Sequence, residues 1–200
     1  MLAAFLAAIA VHQASPEPIP GQLVREILGT ASLTHTVRRD RGEIAGCENV
    51  FRVLAQDNLY ANGNLIAIDG SISLITLGDG GTVGSIKISG SDVFMVEGQP
   101  LTVPYESNFG YFLNAETGEP YAVLSSFQCE DGGYCAAVDL ETLLGVLSEL
   151  VALGRIEGAL NRAGGETDLP FMVEATDTNW KFDEFADCAE RLISRQLPAE

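Results

Sequence analysis

Cys47, Cys129, Cys135 and Cys188 are the residues of this chain best placed to do chemistry. Three kinds are open to them: zinc ligation, nucleophilic attack and disulfide formation. Structural zinc sites draw on closely spaced cysteine pairs and on histidine. No C-x-x-C occurs, and the chain holds only His12 and His35. A catalytic thiolate needs an electropositive neighbourhood, which an even set of four cysteines does not require. Disulfides are therefore the expected use, and four cysteines allow three pairings. Cys129 and Cys135 flank Glu130-Asp131-Gly132-Gly133-Tyr134. A Gly-Gly turn between two β-like runs brings its flanks together, so this pair could staple a hairpin. Cys47 is then left with Cys188. That link closes a loop of more than a hundred residues and ties the C-terminal helix to the start of the domain.

The carboxylates are the next candidates. The chain carries 28 acidic residues against 11 basic ones, a net charge of −17. A glycosidase needs two carboxyl groups roughly 5–10 Å apart. With so many acids some pair meets that distance by chance, so no catalytic residue is named. A serine hydrolase needs a base for its hydroxyl. His35 is the one histidine outside the first 14 residues, and no G-x-S-x-G elbow is present. Ser71 after Gly70 and Ser85 after Gly84 read as turn serines. Asp69, Asp79 and the Glu130-Asp131 pair precede glycines, as calcium ligands often do. No D-x-D-x-D-G spacing supports them, and Asp-Gly is a preferred turn dipeptide. No metal and no cofactor is expected.

Charge narrows the partners further. Nucleic-acid binding needs clustered Lys and Arg. The only basic cluster is Arg38, Arg39 and Arg41, with Asp40 and Glu43 interleaved. The same balance opposes anionic membrane surfaces and suits a soluble protein or a cationic partner. Aromatic residues concentrate at Tyr105, Phe109, Tyr111, Phe112 and Tyr121, with Tyr134 further on. Tyr105, Tyr111, Tyr121 and Tyr134 are the expected binding residues, since exposed aromatics beside polar loops mark interfaces. Phe112, Phe127 and Trp180 are expected in the core.

The elements that must position these groups follow from pattern. Residues 1–11 form an uncharged apolar run, too short for the roughly 20 residues of a membrane span. It matches the apolar region of a signal peptide ending at Ala14, although a basic start is missing; the other reading is a buried N-terminal helix. A proline-rich leader then covers residues 15–30, with a helical turn or two expected at 22–28. A single disulfide-bonded domain covers 31–200. A hydrophobic content of 46% with 20% charge excludes disorder, and frequent glycines and prolines indicate many turns. Strands are expected at 33–38, 49–56, 64–70, 71–77, 82–89, 92–97, 101–105, 110–114, 121–128 and 169–175, with 155–162 strand or helix. Helical spacing of leucines predicts a helix over 139–153, capped by Asp139 and ended by Gly154. A closing helix is expected over 183–197. The fold class is mainly β (α+β), an antiparallel sandwich or barrel-like domain.

From Phe127 onward the order Phe-Gln-Cys, Tyr-Cys-Ala-Ala, Asp-Leu-Glu-Thr-Leu-Leu, Leu-Pro-Phe and Phe182-Asp-Glu-Phe-Ala-Asp-Cys-Ala-Glu-Arg-Leu192 is similar to invasion-associated locus B-like secreted proteins of α-proteobacteria. The likeness covers about a third of the chain. Tyr134 and Glu184 stand where that family has glycines. It implies an exported β-sandwich at the cell envelope or host interface and carries over no catalytic residue.

Together these readings point to a periplasmic or secreted, non-enzymatic envelope protein. It would bind a protein or glycan of the envelope or host, with no membrane span in the mature chain. The alternative is a carboxylate-dependent hydrolase acting on envelope polymers. The hydrolase requires a concave pocket of converging carboxylates with raised pKa values. The binding module requires an open aromatic or apolar patch.

Overall fold

The computed structural model describes residues 29–59, 63–78, 80–175, 180 and 182–194. The expected signal peptide, most of the leader with its helical turn, Asp79 and positions 195–197 of the closing helix lie outside the described residues. Among the described residues, ten strands and two helices follow in the order β1 (Gly29–Asp40), β2 (Glu43–Asp57), β3 (Asn64–Thr76), β4 (Thr82–Val96), β5 (Gln99–Tyr105), β6 (Ser107–Phe112), β7 (Ser125–Gln128), β8 (Tyr134–Val138), α1 (Leu140–Leu153), β9 (Arg155–Arg162), β10 (Asp168–Glu174) and α2 (Phe182–Ser194).

All pairings are antiparallel. The larger sheet has the order β1-β2-β3-β4-β8-β7. β4 is long enough to serve two partners on one edge: residues 84–88 pair with β8 and residues 90–96 with β5. The smaller sheet has the order β10-β9-β6. The outer strands of the larger sheet do not meet, so it is an open sheet and not a barrel. The result is a β-sandwich-like α+β domain.

Alternation decides which face is covered. Cys47, Phe51 and Val53 of β2, Ile66, Ile68, Ile72 and Leu74 of β3, and Ile86 and Ile88 of β4 are all buried on one face. They meet Ile156, Leu160, Leu169, Phe171 and Val173 of the smaller sheet and the apolar stripes of both helices in one core. Residues of the opposite parity, among them Glu48, Arg52, Asp69 and Lys87, face outward. α1 starts where the Asp139 carboxylate accepts the Thr142 N–H at 2.7 Å and stops at Gly154, whose φ of 66° is left-handed. Both ends match expectation. α2 lies on β2, and its Phe185, Cys188 and Leu192 are buried.

Two of the expected breaks prove to be strand interiors. Gly70 ends one expected strand at a turn and Gly90 falls between two others, yet β3 and β4 run straight through them. Each glycine sits opposite an aromatic residue on the neighbouring strand: Phe51 opposite Gly70 and Tyr105 opposite Gly90. The ring lies across the strand in the space a Cβ would occupy. Gly158 of β9 does the same between Phe171 and Phe112. Asp69 is consequently a mid-strand residue paired with Arg52 at 2.6 Å, not a turn ligand. Strand length also shrinks in one place: the run 121–128 supplies only the four residues of β7.

Two disulfides form, Cys47–Cys188 and Cys129–Cys135, with sequence separations of 141 and 6. Cys47 and Cys188 are buried and pin α2 to β2. Cys129–Cys135 closes the β7–β8 hairpin across a half-exposed position. Loop-closure entropy assigns about 5 kcal/mol to the long link and about 2 kcal/mol to the short one. The double variant Cys47→Ser/Cys188→Ser should therefore lower the urea midpoint more than Cys129→Ser/Cys135→Ser. Equal shifts would contradict this account. Denatured, unreduced protein should label with no thiol reagent. Gly158→Ala would place a Cβ 2.7 Å from the Phe171 ring and from the Tyr111 carbonyl oxygen. A loss of about 1–3 kcal/mol in denaturant titration is expected from that overpacking.

Candidate functional site

The smaller sheet turns one face to the core and the other to solvent. On β6, Gly110 and Phe112 point inward, which sends Phe109 and Tyr111 outward. Their rings stack with centroids 6.2 Å apart and planes 17° from parallel. Phe109 is 40% exposed, one of the few aromatic side chains open to solvent among the described residues.

Register then brings polar groups from distant sequence beside the rings. Phe109 sits opposite Asn161 of β9, and Asn161 opposite Asp168 of β10. The Asn108 Nδ2 group donates to Asn161 Oδ1 at 2.9 Å. Asn161 Nδ2 donates to Asp168 Oδ1 at 2.9 Å. The Tyr111 hydroxyl donates to Asp168 Oδ2 at 2.7 Å. Asn161 is buried and both atoms of its amide are hydrogen-bonded, so the network holds its members in one geometry. The Asp168 carboxylate also pushes the Tyr111 phenol up to about 12, first through their hydrogen bond and then through burial and charge. Tyr111 therefore remains a donor throughout the physiological range. The Asn108 amide keeps its oxygen and one hydrogen for a ligand. A flat aromatic pair beside fixed amide and carboxylate groups can stack on an apolar ring face while hydrogen-bonding at its rim.

Only part of the expected tyrosine surface exists. Tyr111 belongs to this face. Tyr105 and Tyr134, expected outside, are 9% and 8% exposed and belong to the core. Tyr105 turns inward because Gly90 leaves room for its ring and because the Arg162 guanidinium stacks 4.3 Å above it. Arg162 in turn grips Asp92 with two bonds, 2.7 and 2.9 Å. Burial pushes the Tyr105 phenol well above its ordinary value. Tyr121 is half-buried and structural: its hydroxyl donates to Glu149 of α1 at 2.7 Å and its ring covers Gly145. Phe112 is a core residue as expected, whereas Phe127, expected inside, is 63% exposed on β7. Trp180 packs against the core and donates to Asn49 at 3.1 Å.

A concavity lined by several carboxylates, as the hydrolase reading requires, lies elsewhere. A groove of about 880 Å³ runs between α1 and the segment 114–122, lined by Glu116, Glu119, Asp139, Glu141 and Glu149. Two of these carboxylates, Glu149 and Asp139, are engaged in holding structure. Glu149 accepts from Tyr121 and from the Ala115 N–H. Asp139 caps α1, and the Thr142 N–H draws its pKa below the ordinary value. Outside the groove, Asp131 is lowered as well, mainly by its bond to Lys87. A general acid needs the opposite shift. His35 and Ser71 lie on opposite faces of the larger sheet, His35 against Phe185 of α2, so they form no Ser–His pair.

Asn108, Asn161 and Asp168 escape sequence reasoning because nothing local links positions 53 and 7 residues apart. The Phe109-Gly110-Tyr111 alternation was the one available signal. No family model, curated protein or solved structure matches the chain.

Tyr111→Phe should cost about 1 kcal/mol, the worth of a half-exposed hydrogen bond to a charged acceptor. Because the folded phenol titrates above its ordinary value of 10.0, this stabilisation is complete below that value and disappears as pH rises through about 12. Urea titrations of both proteins should converge there; a gap that persists above it would contradict the assignment.

Proposed function

We propose that this chain is an exported envelope protein that works by binding, and that its ligand is a glycan received on the solvent face of the smaller sheet. The observation that carries the reading is the exposed Phe109 stacked on Tyr111 beside the closed Asn108–Asn161–Asp168 array. A sugar presents an apolar ring face and a hydroxyl rim, and this surface offers a counterpart to each. Export is supported by two disulfides, which persist in oxidising compartments, and by the apolar N-terminal run. No helix among the described residues is long and apolar enough to cross a membrane. The C-terminal likeness to secreted invasion-associated locus B-like proteins agrees with an envelope location. A protein ligand would use the same aromatic anchors.

Titration calorimetry with soluble fragments of envelope polysaccharide tests the reading. Wild type should bind, and Phe109→Ala should weaken binding about tenfold or more, since a truncated aromatic anchor costs upward of 1.4 kcal/mol. Glu149→Gln should leave affinity unchanged. Release of new reducing ends that falls with Glu149→Gln would instead establish the hydrolase.

A further inference from the structure

We propose that β7 is a self-association edge, pairing antiparallel with β7 of a second copy of this chain about a twofold axis at Phe127. This inference is independent of the glycan face.

Strand edges attract other strands unless blocked, and proteins block them with charge, proline and bulges. Among the described residues, four of the five edges are blocked. β1 carries Arg38, Arg39 and Asp40 and two register breaks, at Thr30/Ser32 and Arg38/Arg39. β5 carries Pro100 and Pro104. β6 is broken between Ser107 and Phe109. β10 carries Pro170, and its Glu174 N–H donates to Thr30 of β1. β7 reads Ser-Ser-Phe-Gln, without charge, proline or break in register. Beside it Leu124 and Phe127 are each 63% exposed, the highest values for large apolar side chains among the described residues, and Val123 is 43% exposed.

The register accommodates a second copy as the occupant. The Cys129 N–H donates to the Gly133 carbonyl across the hairpin. In an antiparallel ladder alternate residues face alternate edges. Phe127 and Ser125 therefore turn their peptide groups toward β8, and Ser126 and Gln128 turn theirs outward. Set against itself about Phe127, the strand places Ser126 opposite Gln128 of the other copy, and Gln128 opposite Ser126. Every outward N–H and C=O of the pair then finds a partner. Phe127 meets Phe127 at a non-hydrogen-bonded position, where side chains approach closest and aromatic pairs stabilise. Such an isologous contact closes on itself and would join the two larger sheets.

Charge favours this edge over the rest of the surface. Two copies each carry −17 and repel at long range, yet the paired segment is neutral. Glu130 lies beyond β7, in the turn that the Gly132 N–H closes on the Cys129 carbonyl, so the Glu130 residues of the two copies stand at opposite ends of the pair. Added salt should screen the remaining repulsion and strengthen the dimer. The Cys129–Cys135 bond holds the hairpin that carries β7, so its reduction should weaken pairing.

Sedimentation velocity of the disulfide-intact protein across a concentration series tests the proposal. The expected result is a monomer–dimer equilibrium that shifts toward dimer as salt rises. Phe127→Lys sets two like charges opposite each other and should weaken the dimer about tenfold or more. Ser126→Pro removes an outward donor and should do the same, while Phe127→Tyr retains the dimer. Thermal melts confirm that each variant folds. A wild type that stays monomeric at high concentration and salt overturns the proposal. So does a dimer unaffected by both Phe127→Lys and Ser126→Pro, or assembly that runs past the dimer.

Discussion

Aromatic rings laid over glycines on neighbouring strands are the constraint from which the rest of this fold follows. Phe51 covers Gly70, Tyr105 covers Gly90, and Phe171 and Phe112 flank Gly158. Phe51, Phe112 and Phe171 then meet one another with centroids 5.9–6.2 Å apart. One aromatic cluster thus couples β2 of the larger sheet to β6 and β10 of the smaller. A one-residue slip in any of these strands would carry its ring to the opposite face of the sheet. The rings therefore set register and sheet-to-sheet spacing together.

Register is what turns distant residues into a surface. Gly158 opposite both Phe171 and Phe112 aligns β10, β9 and β6, and the same alignment brings Asp168, Asn161 and Phe109 into one row. The core side of the smaller sheet and its solvent side are two readings of one pairing. The Arg162–Asp92 clamp, roofing Tyr105, fastens the same strand β9 to β4 of the larger sheet. The shallow binding face proposed for the smaller sheet requires such a rigid backing. A site without a cavity gains affinity from groups already held in place, since little ordering entropy remains to be lost.

The fold class, both helices and both disulfides are legible in the sequence because each has a local signature. α1 shows leucines at helical spacing between Asp139 and Gly154. Cys129 and Cys135 flank a Gly-Gly turn, which leaves Cys47 for Cys188. Gly70 and Gly90 mislead for a physical reason: a glycine needed for a turn and a glycine needed for a ring look alike until the opposite strand is known. Tyr105 and Tyr134 mislead similarly. A tyrosine's polar tip suggests a surface, but Arg162 and Gly90 give Tyr105 an interior place that no neighbour in sequence announces. Phe127 errs the other way, since its alternation with Ser125 puts it on the outer side of an edge strand. The polar row beside Phe109 has no sequence signature at all, because it exists only through the pairing of three strands.

Acidity also acquires a more specific meaning from the structure. Several carboxylates are tied to structural partners: Asp139 to a helix N-terminus, Asp131 to Lys87, Asp69 to Arg52, Asp92 to Arg162, and Glu149 to a phenol and a peptide N–H. For Asp139 and Asp131 those partners favour the charged form, the opposite of what a proton-donating acid requires. These carboxylates cap, clamp and orient. The face proposed for recognition is the one where aromatic and amide groups gather, on a molecule whose net charge is −17.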